Sequence, residues 1–264
     1  MQFLYTYLIL LIYFVIWFII SQFKKNNGLI DIAWGGGFVI TAWSSMLLSK
    51  NFEFSQFILN GLVTIWGLRL VFYLGIRNWN KKEDFRYQAM RKKWKTKLKT
   101  KAFFKVFMTQ AILCYIISAP ILVTNFFSKQ NQSIWSLLLI IVGVLVFLIG
   151  FIFEVVADNQ LKKFKSNPNN KGKILTEGIW SVSRHPNYFG ESTLWWGIGI
   201  ISLSKLSAIS ILGLLGPIII TFLLIFVSGV PLLEKKYKDN LEFQKYTQKT
   251  SIFFPLPQKK TSQK

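Results

Sequence analysis

Residues 134–160 decide the fold, and they read IWSLLLIIVGVLVFLIGFIFEVVADNQ. The first 20 of them include no charged side chain, and about 20 apolar residues suffice to cross a bilayer as a helix. Two acids follow, Glu154 and Asp158, and a separation of four residues puts both on one face of a helix. The stretch therefore predicts a membrane span with carboxylates near one end.

Further apolar runs of similar length occupy most of the chain. Only 16% of the residues are charged and 52% are hydrophobic, whereas soluble domains are about a quarter charged. We therefore predict a single all-α integral membrane domain over residues 1–264, a bundle of about seven transmembrane helices. The first is expected to be a retained span, because no basic region precedes the apolar residues that begin at Phe3. The predicted spans are 2–23, 29–49, 56–77, 103–128, 134–160, 187–204 and 206–230.

Basic residues are distributed unequally between the connections of these spans. The net charge of +21 arises from 32 Lys and Arg against 11 Asp and Glu. Connections after odd-numbered spans, together with the tail, hold 28 of the basic residues, and connections after even-numbered spans hold 3. The positive-inside rule then predicts an outer N-terminus and a cytoplasmic C-terminus. Such connections suit orientation, anionic lipid or a phosphorylated cofactor, and no nucleic-acid partner is predicted.

Charged residues within the spans lie near the predicted cytoplasmic side. Asp31 is at the entrance of the second span, Arg69 lies in the third, and Glu191 lies at the start of the sixth. Glu154 and Asp158 approach the exit of the fifth. Charged residues at membrane depth are costly, so by default they indicate a functional site. We therefore predict one polar pocket that opens to the cytoplasm.

Several of these residues also have a plainer explanation. Asp158 and Lys162 form an i, i+4 pair at a membrane exit, and the long side chain of Arg69 is able to reach the interface. Tyr73, one turn beyond Arg69, is placed either to donate a hydrogen bond to substrate or cofactor or to act as an interfacial aromatic residue. The loop 78–101 is expected to form a membrane-surface helix, with a lid over the cofactor as the alternative.

Residues 184–191 read RHPNYFGE and contain the only histidine of the chain. Pro186 is typical of a helix start, and it favours an extended conformation for His185. Arg184 and His185 at a helix N-terminus form a good site for phosphate or carboxylate. The alternative interpretation of the same residues is a turn that merely caps the sixth span. If the block is a site, three further side chains are expected to point into the pocket: Asn187, Tyr188 and Glu191.

The sequence does not contain the usual metal and nucleotide motifs of soluble proteins. Its one cysteine, Cys114, lies in an apolar run, so neither an intrachain disulfide nor a CxxC site is possible. A lone histidine without partners does not build a metal site, and no metal is predicted. No GxGxxG or Walker A sequence occurs. Any nucleotide therefore has to be held by the helical bundle and its loops.

Several motifs together resemble the steroid 5-alpha-reductase and isoprenylcysteine methyltransferase superfamily. The block Gly178-Ile179-Trp180 followed by residues 184–191 is similar to its C-terminal motif. The chain looks closest to a bacterial branch of steroid-reductase-like membrane proteins, which implies a bacterial inner-membrane location. The other motifs shared with that branch are Asp31 to Gly35, Trp66 to Leu70 with Arg77-Asn78, Glu154 to Phe164, and Pro231-Leu232-Leu233-Glu234 to Phe254-Pro255.

This resemblance implies a bundle whose C-terminal half, residues 131–264, encloses a cofactor, with substrate-side helices in residues 1–130. In the reductases that cofactor is NADPH. By motif match, Asp158 is expected at the nicotinamide or ribose, Arg184 near phosphate and Tyr237 near the adenosine end. The residues expected to bind the cofactor are Arg69, Glu154, Asp158, Arg184, His185, Asn187, Tyr188, Glu191 and Tyr237.

The implied activity is the NADPH-dependent reduction of an activated carbon–carbon double bond in a lipophilic substrate, steroid-like or isoprenoid. Hydride is expected to reach the beta carbon while Asp31 or Tyr73 acts as the catalytic acid near the carbonyl. Steroid reductases hold the ketone with a glutamine-glutamate pair on the second span, where this chain has only Asp31 as an acid. The substrate is therefore left open.

Two other functions remain as alternatives. One is methyl transfer from S-adenosylmethionine to a lipidic acceptor, because the Arg-His-Pro block resembles both branches of the superfamily. The other is a non-enzymatic lipid-binding or assembly protein. In every case the bilayer and a lipophilic small molecule are the expected partners, and the sequence does not indicate an oligomeric state.

Overall fold

The computed structural model describes residues 1–127 and 133–258, apart from the side chain of Lys236. These residues form helices and connections, with no β-strand among them, which confirms the all-α prediction. The α-helices are α1 (Gln2–Phe23), α2 (Ile30–Ser49), α3 (Phe54–Asn78), α4 (Phe85–Trp94), α5 (Leu98–Ala102), α6 (Thr109–Ile117), α7 (Ala119–Phe126), α8 (Ile134–Ser166), α9 (Pro186–Ser202), α10 (Leu215–Phe222), α11 (Val230–Tyr237) and α12 (Leu241–Lys249). Shorter 3₁₀ turns lie at Asn27–Leu29, Pro168–Asn170, Gly178–Ser181, Leu203–Lys205 and Ala208–Leu214, and π-helical turns at Phe103–Met108 and Leu223–Val227.

Six helical stretches within the described residues are long and apolar enough to cross a membrane. The chain is therefore a multi-pass integral membrane protein, as predicted. The predicted sixth span, 187–204, corresponds to α9, whose 17 residues are fewer than the roughly 20 that cross a bilayer upright. The count of seven and the orientation of the termini stay predictions. The six stretches are Gln2–Phe23, Asn27–Ser49, Phe54–Asn78, Leu98–Ile117, Ile134–Ser166 and Ala208–Lys235.

The predicted fourth span, 103–128, is interrupted near its middle. α6 ends at Ile117, and α7 begins at Ala119 with Pro120 in its first turn. Proline has no N–H to donate, and its ring clashes with the carbonyl one turn earlier, which accounts for the break. Residue 128, the predicted end of this span, lies outside the described residues. So do four of the lysines that were counted for the orientation of the chain, namely Lys129, Lys259, Lys260 and Lys264.

The chain divides into two compact units. The first unit comprises Met1–Ile140 and Ile198–Gly216, and the second comprises Ile141–Gly197 and Pro217–Lys264. The stretch from the end of α9 into α10 thus clusters with the N-terminal helices. The division of function between residues 1–130 and 131–264 stays a prediction.

In the first unit, α2 packs against α1, α3 and α7. Its three consecutive glycines lie in continuous helix, so they permit close packing and do not unwind the span. A side chain on Gly35 would bring its Cβ within 2.5 Å of the Gly67 carbonyl oxygen of α3, and one on Gly67 would come within 2.6 Å of the Gly35 carbonyl. Small residues let two backbones approach in this way.

Buried polar side chains of the first unit bond to one another. Asn125 of α7 donates to the Ser45 hydroxyl over 2.7 Å and to the Ala42 carbonyl over 3.1 Å, both on α2. Gln56 of α3 donates to the Asn125 carbonyl over 3.1 Å. Polar residues join transmembrane helices by such bonds, so this cluster stabilises the packing of α2, α3 and α7.

An ion pair lies within the same unit. The side chain of Lys205 is fully buried and its ammonium donates to the Glu53 carboxylate. Glu53 is also the N-cap residue of α3, where it exchanges hydrogen bonds with Gln56 in a capping box. The lysine therefore secures the start of α3, and its charge has a structural explanation.

Glycines also set the contact between α8 and α9 in the second unit. A Cβ on Gly190 would lie 2.5 Å from the Glu154 backbone nitrogen, and one on Gly197 would lie 2.5 Å from the Phe147 nitrogen. The backbones of the two helices therefore touch. This contact places the start of α9, with the predicted site residues, directly against the α8 turn that contains Glu154.

Candidate functional site

The Arg-His-Pro block lies at the start of α9, as the sequence predicted, with Pro186 as the first helical residue. The Ser183 hydroxyl accepts a hydrogen bond from the His185 backbone N–H over 3.2 Å. It donates in turn to the Phe253 carbonyl over 2.7 Å. Ser183 thus links the turn before the helix to the C-terminal segment of the chain.

That C-terminal segment, residues 250–258, pairs with the turn by backbone hydrogen bonds. The Arg184 N–H donates to the Ser251 carbonyl over 2.8 Å, and the Leu256 N–H donates to the Val182 carbonyl over 3.0 Å. These bonds fix the backbone of Arg184. They give the turn a defined conformation that its own sequence does not dictate.

Tyr246 of α12 holds the same turn from another side. Its buried hydroxyl donates to the Trp180 carbonyl and approaches the Ser183 carbonyl at 3.2 Å. Burial raises the pKa of the Tyr246 phenol well above its ordinary value, although the Arg184 charge acts in the opposite direction. The hydroxyl therefore remains a donor at neutral pH.

Arg184 and His185 converge on Glu234 of α11. The His185 Nε2 lies 3.1 Å from the Glu234 Oε1, and the Arg184 Nη1 lies 3.4 Å from the same oxygen. The His185 ring stacks on Tyr188, with ring centroids 5.6 Å apart and planes 8° apart. The Arg184 side chain is 11% exposed, and its Nε is a buried donor with no hydrogen-bond partner among the described residues. Buried donors are nearly always satisfied, so this atom indicates a missing acceptor.

A cavity of about 420 Å³ lies beside these groups, within the second unit. We call it the second-unit cavity. Its polar lining includes Glu234 and His185. The basic residues that line it are Lys165, Lys171, Lys173 and Arg184. The aromatic residues that line it are Phe164, Trp180, Tyr237, Phe243 and Tyr246. Flat apolar walls with positive charge at one side suit a ligand that combines a ring system with an anionic group.

Three of the predicted cofactor residues, Arg184, His185 and Tyr237, line this cavity together. The other predicted residues of the second unit do not line it. Glu154 and Asp158 are buried on α8, 3% and 6% exposed, and both have interaction partners. Asn187, Tyr188 and Glu191 are half-buried on the first turns of α9. Their predicted functions stay predictions.

The predicted catalytic residues belong to the first unit. Asp31 accepts hydrogen bonds through both carboxylate oxygens, from Arg86 over 2.6 Å and from the Tyr87 hydroxyl over 2.8 Å. Burial lowers the pKa of Arg86, but the neighbouring carboxylates, Asp31 above all, outweigh it and hold that pKa above its usual range. Burial and then Asp31 raise the pKa of Tyr87. Asp31 is therefore a hydrogen-bond acceptor in this network.

Tyr73 lies between two guanidinium groups on α3. The Arg69 guanidinium is 5.1 Å from the centre of the Tyr73 ring, and the Arg77 guanidinium is 5.3 Å from it. Both are cation–π distances. The pairing of Arg69 with Tyr73 agrees with their spacing of one helical turn, while their predicted functions stay untested.

Sequence reasoning missed several residues of the second-unit cavity. Glu234, Phe243 and Tyr246 come from α11 and α12. In the sequence these residues were noted only as part of a C-terminal segment that resembles the superfamily. Trp180 was quoted only as part of the shared motif. Acidic and aromatic residues directly after the last span are the one signal in the sequence that could have indicated them.

The fold and the site define an all-helical integral membrane protein with a basic, aromatic-walled cavity among its C-terminal helices. The chain belongs to the family described as "Protein of unknown function (DUF1295)", which it matches over residues 17–250. Together with the relatives that follow, this match confirms the predicted steroid 5-alpha-reductase-like superfamily. The bacterial branch stays a prediction.

Three relatives share part of their sequence with the chain. A probable O-methyltransferase, ustE, of Ustilaginoidea virens is 38% identical over 69 residues, which are 26% of this chain and 24% of that protein. The delta(14)-sterol reductase of Arabidopsis thaliana is 38% identical over 65 residues, 21% of this chain and 18% of that protein. The steroid 5-alpha-reductase DET2 of Arabidopsis thaliana is 26% identical over 83 residues, 31% of either chain.

The matched segments thus span less than a third of each of these relatives. No solved structure matches the chain significantly.

Proposed function

We propose that the protein is a membrane-embedded, NADPH-dependent reductase of an activated carbon–carbon double bond in a lipophilic substrate. The observation that supports it most is the second-unit cavity, which is lined by Arg184, a side chain whose buried Nε has no partner among the described residues. Similarity to two sterol-modifying reductases supports the reaction class. The span-forming helices support a substrate that reaches the protein from the bilayer.

The lining of the second-unit cavity fits the phosphate-bearing part of such a cofactor. Arg184 would hold a phosphate oxygen through its free Nε, because charge-assisted hydrogen bonds to phosphate are among the strongest in proteins. Lys171 and Lys173 add positive charge to the lining. Trp180 and Tyr237 offer faces on which the adenine ring would stack. NADPH, when bound, supplies the hydride.

Of the two predicted acids, Tyr73 is the better hydrogen-bond donor to a substrate oxygen. Asp31 already accepts bonds from Arg86 and Tyr87 through both oxygens. Tyr73 carries an O–H group, which a carboxylate lacks, and the guanidiniums of Arg69 and Arg77 lie against its ring. A donor beside positive charge stabilises the negative oxygen that forms when hydride adds to an enone.

S-adenosylmethionine-dependent methyl transfer to a lipidic acceptor is the alternative, and the similarity to the probable O-methyltransferase favours it. Titration of the detergent-solubilised protein with NADPH and, separately, with S-adenosylmethionine distinguishes the two. A ligand at 100 times its dissociation constant adds about 2.7 kcal/mol of apparent stability, which thermal denaturation detects. We expect stabilisation by NADPH. Stabilisation by S-adenosylmethionine alone would establish the alternative, and no response to either would refute both.

A further inference from the structure

A second cavity, of about 630 Å³, lies in the first unit between the end of α1 and the helix that begins at Leu98. We call it the α1–α5 groove. Its apolar wall consists of Phe18, Ile19, Phe23, Phe103 and Phe104. Lys99 and Thr100 line the groove as well. None of these residues belongs to the proposed reductase site.

The apolar wall is built of aromatic rings that contact one another. The Phe18 and Phe103 ring centroids are 5.1 Å apart, and those of Phe103 and Phe104 are 4.9 Å apart. At the rim, Phe23 is 84% exposed and Phe104 is 60% exposed. Apolar surface of this kind is stable only against other apolar groups, and in an integral membrane protein the groups available are acyl chains.

The groove also lies where headgroups are expected. Phe23 ends α1 and is followed by Lys24-Lys25, and this change from apolar to basic sequence is typical of a span that reaches the membrane surface. The Lys24 ammonium lies 5.0 Å from the centre of the Trp79 ring. Tryptophan is enriched at the membrane–water interface. An acyl chain in the groove would therefore have its phosphate near Lys99.

Of the described residues that line the groove, one is basic and none is acidic. Neither residues 1–30 nor residues 85–153, which include both walls, contain an aspartate or glutamate. Lys101 donates to the Trp94 carbonyl over 2.8 Å, whereas Lys99 is exposed and faces the groove. A negative headgroup thus meets a positive charge and no carboxylate among the described lining residues, while a zwitterionic headgroup brings a choline or amine that this charge repels.

We propose that the α1–α5 groove binds one anionic phospholipid. One acyl chain lies against the Phe18, Phe103 and Phe104 wall, and the phosphate lies at the Lys99 ammonium and the Thr100 hydroxyl. The proposal concerns a lipid of the bilayer and does not depend on the reductase activity.

Binding of dioleoylphosphatidylglycerol and dioleoylphosphatidylcholine to the detergent-solubilised full chain, followed by native mass spectrometry, tests the proposal. We expect the wild-type protein to retain the anionic lipid at concentrations where the zwitterionic one is lost. Lys99→Gln should raise the dissociation constant for phosphatidylglycerol about fivefold, because one positive charge near an anionic lipid contributes about 1 kcal/mol of binding free energy. Lys99→Glu changes the charge by two and should raise that constant about thirtyfold. Lys92→Glu, at an exposed position of the same basic segment, is the matched control and should have little effect.

The acyl chain is tested separately. Phe104→Ala shortens the exposed wall and should weaken both lipids, whereas glycerol 3-phosphate, a headgroup without chains, should not displace phosphatidylglycerol. Equal retention of the two lipids by the wild type would overturn the proposal, and so would equal effects of the Lys99 and Lys92 reversals. Displacement by glycerol 3-phosphate would overturn it as well, because it would show an ion site without a lipid chain.

Discussion

The two units differ in how certain polar side chains are paired. In the first unit Lys205 pairs with Glu53, Asn125 with Ser45, and the partly exposed Asp31 with Arg86, although several buried hydroxyls of that unit, such as that of Thr124, have no hydrogen-bond partner among the described residues. In the second unit, Arg184 and His185 share one oxygen of Glu234 beside a cavity, and the Arg184 Nε has no partner among the described residues. Polar groups that satisfy each other stabilise helix packing, whereas polar groups that surround a cavity with a donor to spare are able to bind a ligand.

This difference limits what an intramembrane charge indicates. Charges within the predicted spans indicate a functional site by default, and for Asp158 and Arg69 the sequence also offered plainer explanations. Lys205, in the connection between the predicted sixth and seventh spans, has a fully buried side chain, yet its bond to an N-cap carboxylate explains this burial without any functional site. We therefore expect substitutions in the first unit to change stability without changing cofactor affinity, and substitutions at the second-unit cavity to lower cofactor affinity.

Lys205→Met should have the largest effect. It leaves the Glu53 carboxylate, whose side chain is 18% exposed, without its buried partner, and removal of one member of a buried pair costs about 3 kcal/mol or more. Denaturation of the solubilised protein measures this loss of free energy of unfolding. NADPH affinity of the remaining folded protein should be unchanged.

The double variant Glu53→Gln/Lys205→Met is the control for that substitution. With both charges removed, most of the lost stability should return, because an apolar replacement of a whole ion pair is often neutral. If Lys205→Met is as stable as the wild type, the ion pair contributes nothing to the free energy of unfolding. Paired charges of the first unit would then not be explained by stability.

Arg184→Gln should raise the dissociation constant for NADPH about tenfold to a hundredfold, the usual range for a lost hydrogen bond to a charged group. Its effect on stability should be smaller, because Glu234 keeps the neighbouring His185. Isothermal titration measures the affinity. Arg91→Gln, which removes a comparable pair with Glu83 in the first unit, should leave the affinity at the wild-type value. If the two variants weaken binding equally, the distinction between the units is wrong.

Tyr246→Phe should have an intermediate effect, about 1–2 kcal/mol, because it removes the donor to the Trp180 and Ser183 carbonyls. Loss of these bonds frees the turn that presents Arg184, so NADPH affinity should fall together with stability. Thr247→Ala, whose hydroxyl donates only to the Gln244 carbonyl on α12, is the neighbouring control. A fall in stability with unchanged affinity would show that Tyr246 does not position the site.

Much of this architecture follows from periodic and local signals. The apolar runs predicted α1, α2 and α3 within two residues at either end and the start of α8, which ends six residues beyond the predicted span, and Pro186 predicted the start of α9. These features depend on hydrophobic length and on proline geometry, which act over neighbouring residues. The break at Ser118 is less accessible to such reasoning: Pro120 is typical of a kink in a membrane span, but the sequence does not show which packing partner stabilises the interrupted helix.

The lining of the second-unit cavity was less accessible to sequence reasoning. Arg184 and Glu234 are 50 positions apart, and nothing local in either segment indicates that they meet. The partner of Asp31 is Arg86, 55 positions away, on α4 within a loop that was expected to lie on the membrane surface. Contacts of this kind depend on tertiary packing, so the sequence could name the charged residues but not pair them.

Tyr87→Phe should have the smallest effect and is the finest test of the comparison. The Tyr87 hydroxyl is a donor to Asp31, which keeps its bond to Arg86 when the hydroxyl is removed. The loss should be about 1 kcal/mol of stability, with Tyr5→Phe, at an exposed position of α1, as the silent control. If Asp31 belongs only to the packing of the first unit, the proposed reduction should proceed at the wild-type rate in the folded variant. If instead the rate of reduction falls more than tenfold while stability changes by only about 1 kcal/mol, the Asp31 network takes part in catalysis. Pairing within a unit would then no longer separate structural charges from functional ones.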